Sequence, residues 1–597
     1  MMKTISYDVV VVGGGMSGIC AAIASARGGA KTALIHNRPV LGGNASSEIR
    51  MHICGADHHG SRENARETGI LDEILSKNKA RNPHYAYPIW DAVLWESSAF
   101  EPGLTLYLNT HMTEVHCENG EILSIDAQQL TTECAYCFCA PLFVDATGDG
   151  TLGAKAGADF LYGRESRAQF AEPDAQDNAD GYTMGNSLMF SARDMGQKVP
   201  FHKPFWANSY TEEDLALRNH GDASAGYWWI ELGGKDKHTI FDSESIRDDL
   251  LRAVYGVWDH IKNSGNHGAE NYELDWVGYL PGKRESRRLL GDYVLTEQDC
   301  LNAPHFADAV AYGGWPMDAH VIDGFATLSR EPTRYIHLDE VYAIPYRCLY
   351  SKNVANLFLA GRAVSATHLA FASLRVMGTC AVIGQAVGTA AGLCIQKGLQ
   401  PRALLADVTD LQQKLLRDDC FIPGMRNEDG NDLARSARIT ASSFVAGHAP
   451  ENVANGIARA WAGEGNSYLS ESLNDAPQWL LLELGAPKAV RELHIIFDNN
   501  LSREMMITLI PGCKKKQIPI VAPELVKDYA VEFLRDGETV SRLDFSGNDS
   551  RFQKISLEES VLCDGVKLTF LATNFHPDYD INRECRARVF EVRVYGN

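Results

Sequence analysis

Residues 7–18, YDVVVVGGGMSG, constrain this chain more than any other stretch. An unbroken run of valines suits a strand buried on both faces. Three glycines follow at G-x-G-x-x-G spacing, Gly13, Gly15 and Gly18, where a run of small helix-compatible residues begins. Gly13 permits the tight turn, Gly15 lets backbone approach a diphosphate, and Gly18 lets helix and strand pack closely. Met16 to Arg27 reads as that helix and residues 31–36 as a second strand, so a β-α-β unit closes within about 30 residues. A diphosphate would rest on the free N–H groups at the helix start, with Met16 and Ser17 beside it. An acidic residue usually ends the second strand and holds ribose hydroxyls. Here His36 stands in that place, with Asn37 and Arg38 next to it. A neutral imidazole nitrogen can accept a hydroxyl.

The chain has 597 residues, enough for several domains, and a formal net charge of −21. So acidic a balance argues against a nucleic-acid partner, which would need basic patches; the longest basic run is Lys514–Lys516. The N-terminus runs directly into the first strand without a cleavable apolar segment, so the fourteen cysteines are expected reduced and the protein cytoplasmic. Residues 376–396 carry no charge and could span a bilayer by length. They are rich in Gly and Ala, which favours a close-packed internal helix, and no membrane partner is expected. Cys134-x-x-Cys137-x-Cys139 has no second Cys/His pair near it, so no metal site is expected.

Further along, residues 61–76 look helical, and residues 104–108 and 122–127 look like strands, with Asn119-Gly120 as a hairpin signal. Residues 160–340 mix aromatic, His and charged residues with polar loops, the texture of a substrate-facing insertion. Residues 354–396 return to strand, glycine turn and long helix. A Pro/Gly/Asn-containing linker follows, and from residue 437 short alternating strands suggest an all-β sandwich.

Four more motifs carry chemistry. In Leu41–Ser47, the pair Gly42-Gly43 lets a loop lie flat on a cofactor while Asn44, Ser46 and Ser47 offer hydrogen bonds. Ala146-Thr147-Gly148-Asp149-Gly150 follows a strand. Leu359-Ala360-Gly361-Arg362 precedes Ser365-Ala366-Thr367-His368, and Arg375-Val376-Met377-Gly378-Thr379 opens the long helix. With these in this order, and with Arg284–Arg288 (RESRR), residues 1–420 resemble a bacterial family of FAD-dependent oxidoreductases of the glutathione-reductase-like structural class. Residues 437–597 resemble the discoidin, or coagulation-factor type C, galactose-binding-like jelly roll, through Ala441–Phe444, Pro450–Gly456, Gln478–Gly485 and Arg588–Gly596.

The resemblance implies an α/β protein: a Rossmann-like FAD-binding domain (1–160 and 341–420) with an inserted α+β substrate domain (161–340), a linker (421–436) and a jelly-roll sandwich (437–597). It implies noncovalent FAD, with the ADP half near Gly13–Gly18 and the flavin near the late block. There the N–H groups of Val376, Met377 and Gly378 would stabilise the reduced flavin, and Gly378, Gly384 and Gly388 would clear space for the ring or the sheet.

Oxidation of an alcohol needs a base for the O–H proton. His368 is the first candidate, with His52 and Arg375 as further catalytic residues. His320, Arg284 and Arg287 are candidates for substrate, the arginines as a clamp for a carboxylate or hydroxyl-rich ligand. The expected reaction is hydride transfer between flavin and a polar hydroxylated small molecule; only the appended jelly-roll module points to a carbohydrate derivative, a sugar or sugar acid. Two alternatives stand beside it: a flavin-using lyase, isomerase or glycoside-cleaving enzyme without net redox change, and a carbohydrate-binding protein with a vestigial flavin fold.

Overall fold

In a computed structural model, residues 2–579 and 584–596 are described. They form two compact units: residues 1–59, 85–411 and 506–516, and residues 60–84, 412–505 and 517–597. The boundaries therefore differ from a division at residue 437. A piece of the N-terminal third belongs with the β-rich unit, and residues 506–516 belong with the first unit.

The first unit is built on a five-stranded parallel sheet. Its order is Leu357–Leu359, Leu142–Asp145, Val9–Val12, Thr32–Ile35, Leu104–Tyr107. The first four of these strands are buried throughout, which explains their continuous apolar runs. A four-stranded sheet lies beside it in sequence, including Thr110–Glu118 and Glu121–Gln129. These two strands join at Asn119 and Gly120, both at positive φ, which is the primed turn that Asn-Gly signals.

The late helix, Met377–Lys397, is 21 residues long and has a mean hydropathy of 1.5 in its most apolar window, 89% of which is buried. It packs on the glycine-loop helix, Met16–Arg27. Added Cβ atoms at Gly384 and Gly388 would lie 2.1 Å from the carbonyl oxygens of Ser17 and Ala21. Those glycines thus let two helix backbones touch, a third role beside the two expected of them, clearing space for the flavin ring or for the sheet.

The insertion packs a second core, including Phe190, Trp229, Leu250, Val254 and Trp258, around the helix Ser243–Asn263. That helix buries one stripe, at Ile246, Leu250, Ala253, Val254 and Val257.

In the second unit a seven-stranded antiparallel sheet, with strands Gln478–Phe497 and Phe552–Thr573 at its centre, encloses Leu480, Leu493, Ile495, Val531, Leu568 and Val594. The helix expected at residues 61–76 begins only at Ile70, because Gly69 takes φ +75° and breaks the turn before it. Residues 60–84 are fixed in this unit by buried polar contacts. Asp72 accepts from Arg66 at 2.9 Å and from Asn499 at 3.0 Å, and Arg459 donates to the Asn64 carbonyl and the Thr68 hydroxyl, each at 3.0 Å.

Candidate active site

Four parallel strands of the first unit end at one place, and the loops that follow them line a groove of about 280 Å³. Ligands of such sheets bind beyond the carboxyl ends of the strands. Gly13, Gly15, Met16 and Ser17 follow the first strand; His36 and Asn37 follow the second; Ala146, Thr147, Gly148 and Asp149 come from the third and Gly361 and Arg362 from the fourth. Gly42, Gly43 and Asn44 complete the wall.

The groove is shaped by backbone. A Cβ on Gly13 would sit 2.1 Å from the Ala146 carbonyl oxygen, so only glycine lets these loops meet. The ATGDG turn folds around the buried Asp145 carboxylate, which accepts from the Thr147 amide (2.9 Å), the Thr147 hydroxyl (2.7 Å) and the Gly153 amide (2.8 Å). The glycine-loop helix has no side-chain cap and no acidic residue in its first turn, so its N-terminal N–H groups are available to an anion. Ser17 Oγ and Arg362 Nη1 are buried without partners. Uncapped amides, orphaned donors and a backbone-lined trough suit a dinucleotide diphosphate and its ribityl chain.

A larger cavity, about 430 Å³, adjoins this groove and shares Asn44, Arg362, Arg375 and Met377 with it. Its walls combine flat aromatic surfaces (Trp228, Trp315, Tyr335) with polar and ionisable groups (Lys283, Arg284, Asp318, His320, Arg375). All of these groups except Lys283 join one network. His320 Nδ1 lies 2.5 Å from Glu231 and its Nε2 3.0 Å from Asp318. Arg375 Nη2 pairs with Asp318 at 3.1 Å. Arg284 donates to the Ser187 hydroxyl (2.7 Å) and the Trp228 carbonyl (2.8 Å) and lies 3.4 Å from Glu231. Burial alone would raise the Asp318 and Glu231 pKa values, but the neighbouring histidine and arginines bring both below the ordinary carboxylate range. Buried charges are tolerable only when compensated in this way.

His52 also faces the cavity. Burial, reinforced by His59 and Arg284, lowers its pKa to about 3, so its ring is neutral at physiological pH. Its Nδ1 has no partner, and neither has Trp315 Nε1. Asp149, at the groove, is paired with Lys283 at 2.6 Å and is held ionised by Lys283 and Arg362 against its burial.

Several residues singled out from sequence stand elsewhere. His368 lines neither space. Its Nδ1 contacts Glu285 at 3.0 Å and its amide donates to Glu165 at 2.8 Å, so it belongs to a buried cluster with Arg288, which pairs with Glu165 at 2.8 Å. Arg287 is directed to the Asp149 carbonyl (3.3 Å) and the faces of Phe160 and Phe241, outside the cavity. His36 lies at the groove, but both its nitrogens are engaged: Nδ1 accepts from the Gly14 amide (3.0 Å) and Nε2 meets the Val40 carbonyl (3.1 Å). It braces the glycine loop instead of offering a nitrogen to ribose, and burial lowers its pKa to about 4. Arg38 pairs with Glu48 at 2.6 Å and is outside the groove.

Gly18 and Ser46 are buried behind the lining; a Cβ on Gly18 would lie 1.8 Å from the Gly13 carbonyl oxygen, so it is a packing glycine. The Gly378 amide donates to the Cys54 carbonyl at 2.8 Å and is unavailable to a flavin, while Val376 lines the larger cavity and Met377 both.

Sequence reading missed Trp228, Trp315, Asp318 and Tyr335 on the cavity and Glu231 behind it. A signal existed for one of them. On the strand Met317–His320, Asp318 and His320 are two residues apart and share a face.

The family described as FAD dependent oxidoreductase matches residues 8–415. No curated protein sequence matches the chain. Among solved structures, the lectin domain of lectinolysin complexed with Lewis B antigen is 15% identical over 28% of this chain and 98% of that one, with a TM-score of 0.21. A fucose-binding module of Streptococcus pneumoniae is 13% identical over the same shares, also at 0.21. A family 32 carbohydrate-binding module from C. perfringens in complex with galactose is 12% identical, over 28% of this chain and 98% of that one, at 0.19.

Proposed function

This chain belongs to the FAD-dependent oxidoreductase family, and on that premise we propose that it oxidises a polar, hydroxylated small molecule of the sugar or sugar-acid class. FAD, when bound, supplies the hydride-accepting centre. The residues fit to hold it are Gly13–Ser17, Gly42–Asn44, Ala146–Asp149 and Gly361–Arg362. The observation that carries the substrate reading is the cavity that shares Asn44, Arg362, Arg375 and Met377 with that groove. A few convergent polar groups against apolar walls are what a specific small-molecule site requires.

Trp228, Trp315 and Tyr335 offer flat faces to the C–H faces of a pyranose-sized ring. Arg284, Lys283 and Arg375 offer donors to hydroxyls or a carboxylate, and Arg375 is fixed for that role by Asp318. His52, held neutral by burial and unpartnered at Nδ1, is the acceptor that orients the reacting hydroxyl. His320, engaged by carboxylates on both nitrogens, orients Asp318 and holds the network together instead of acting as the base.

The test is a steady-state screen of FAD-loaded protein with an artificial electron acceptor, comparing sugars and sugar acids with apolar alcohols of similar size. Preference for the polyols is expected. Equal or better turnover of the apolar alcohols would remove the proposal.

A further inference from the structure

The inserted domain holds a second constellation of side chains, apart from both spaces described above. Glu212 and His220 lie in the loop before the segment Tyr227–Ile230, His260 lies in the last turn of the helix Ser243–Asn263, and His267 follows that helix. The spacing E-x7-H-x39-H-x6-H matches no short motif, so these residues gather only on folding. One donor atom from each lies within 4.8 Å of all the others.

The distances are those of a metal's coordination shell. Glu212 Oε2 is 3.0 Å from His260 Nε2 and 3.3 Å from His267 Nε2, and Glu212 Oε1 is 3.4 Å from His220 Nε2. His260 Nε2 and His267 Nε2 are 3.1 Å apart. Ligands about 2.0–2.1 Å from a tetrahedral zinc stand about 3.3 Å from one another.

The proton inventory makes the same point. His260 Nδ1 meets the Tyr210 carbonyl at 3.2 Å and His220 Nδ1 the Arg218 carbonyl at 2.5 Å. A carbonyl only accepts, so Nδ1 carries the proton in each ring and a neutral ring presents a lone pair at Nε2. This outer-shell arrangement is the one that fixes the tautomer of metal-bound histidines.

The shell is also held in place. Lys262 Nζ donates to the carbonyls of Ala269 (2.8 Å), Glu270 (2.6 Å) and Tyr272 (2.7 Å), which fixes the turn carrying His267. The histidine side chains are 3–10% exposed and that of Glu212 is 64% exposed, so the carboxylate closes the site on the solvent side.

We propose that Glu212, His220, His260 and His267 form a four-coordinate structural zinc site. Imidazole and carboxylate donors at tetrahedral spacing suit zinc, and a full set of four protein ligands leaves no open position for catalysis. Zinc here ties the loop containing Glu212 and His220 to the end of the long helix. Trp229 Nε1 bonds the Asn219 carbonyl at 3.1 Å, next to His220, and its neighbour Trp228 lines the larger cavity. The site therefore stiffens one wall of that cavity.

The full-length, FAD-loaded protein, expressed with zinc supplied, should contain about one zinc per chain by elemental mass spectrometry. Removal with a non-denaturing chelator should lower Tm, and zinc should restore it by about 3 °C or more. Cobalt(II) in place of zinc should give the intense visible bands of a tetrahedral site. His267→Asn and Glu212→Gln, at the two most exposed of the four ligands, should each hold less than about 0.2 zinc per chain while keeping their flavin absorbance. The proposal is overturned if the wild type holds less than about 0.1 zinc and zinc leaves its Tm unchanged. It is equally overturned if either variant holds as much zinc as the wild type, or if these residues hold a stoichiometric ion other than zinc.

Discussion

The groove that suits the dinucleotide and the cavity that adjoins it share four residues yet are built on opposite plans. The groove is backbone: glycines whose Cβ atoms would strike carbonyls 1.8–2.1 Å away, and a turn folded on the Asp145 carboxylate. The cavity is side chains: a network of Glu231, Arg284, Asp318, His320 and Arg375 collected from four separate stretches of chain. The first plan fixes a shape through residue type at fixed spacing, because only glycine fits where these loops meet. The second fixes a charge distribution that exists only once distant segments meet. Damage to the groove should therefore remove cofactor and stability together, whereas damage to the cavity should spare the cofactor and remove turnover.

The largest effect belongs to Gly18→Val. The added side chain overlaps the Gly13 carbonyl, and the variant should lose about 3 kcal/mol or more of stability and retain no FAD, read by thermal melting and flavin absorbance. Asp318→Asn keeps shape but removes a charge shared by His320 and Arg375. Its kcat/KM should fall by about 10²-fold or more with FAD content unchanged; loss of FAD in that variant would erase the distinction between the two plans.

His36 gives the groove a pH dependence. Its folded ring stays neutral down to about pH 4, whereas an unfolded histidine takes up a proton near 6.5. Between those values the unfolded state binds the extra proton, so this contribution is complete above pH 6.5 and is lost as pH falls toward 4. By pH 5 the loss should be about 2 kcal/mol, and His36→Gln, which can keep both hydrogen bonds without titrating, should flatten that part of a Tm-against-pH curve. The smallest effect on turnover is expected from His368→Gln. The ring lies in the Glu285–Arg288–Glu165 cluster, so kcat/KM should change less than about fivefold while stability drops by about 1–3 kcal/mol. A hundredfold loss at unchanged stability would return His368 to the chemistry.

The same contrast explains what could be read from the sequence. Gly13, Gly15, Gly42, Gly43 and the ATGDG turn were legible because backbone geometry dictates residue type at fixed spacing. His36 was legible as a departure but not in its role, since its partners, the Gly14 amide and the Val40 carbonyl, are set by the fold of the loop. His368 was misplaced because closeness in sequence to the late helix says nothing about which way a side chain on a short preceding helix points. Trp228, Glu231 and Tyr335 carried no local signal; only tertiary folding brings them to Arg375. Residues 60–84 could not be assigned to the β-rich unit, because the contacts holding them there, Asp72 with Asn499 and Arg459 with Thr68, join residues hundreds of positions apart.

The most direct test of the account is anaerobic mixing of FAD-loaded wild type and Asp318→Asn with a panel of sugars and sugar acids, followed by flavin absorbance. The account predicts that at least one polyol bleaches the wild-type flavin, and that the variant, with equal FAD bound, bleaches about 10²-fold more slowly. Bleaching by no member of the panel, or equal rates in the two proteins, would contradict it.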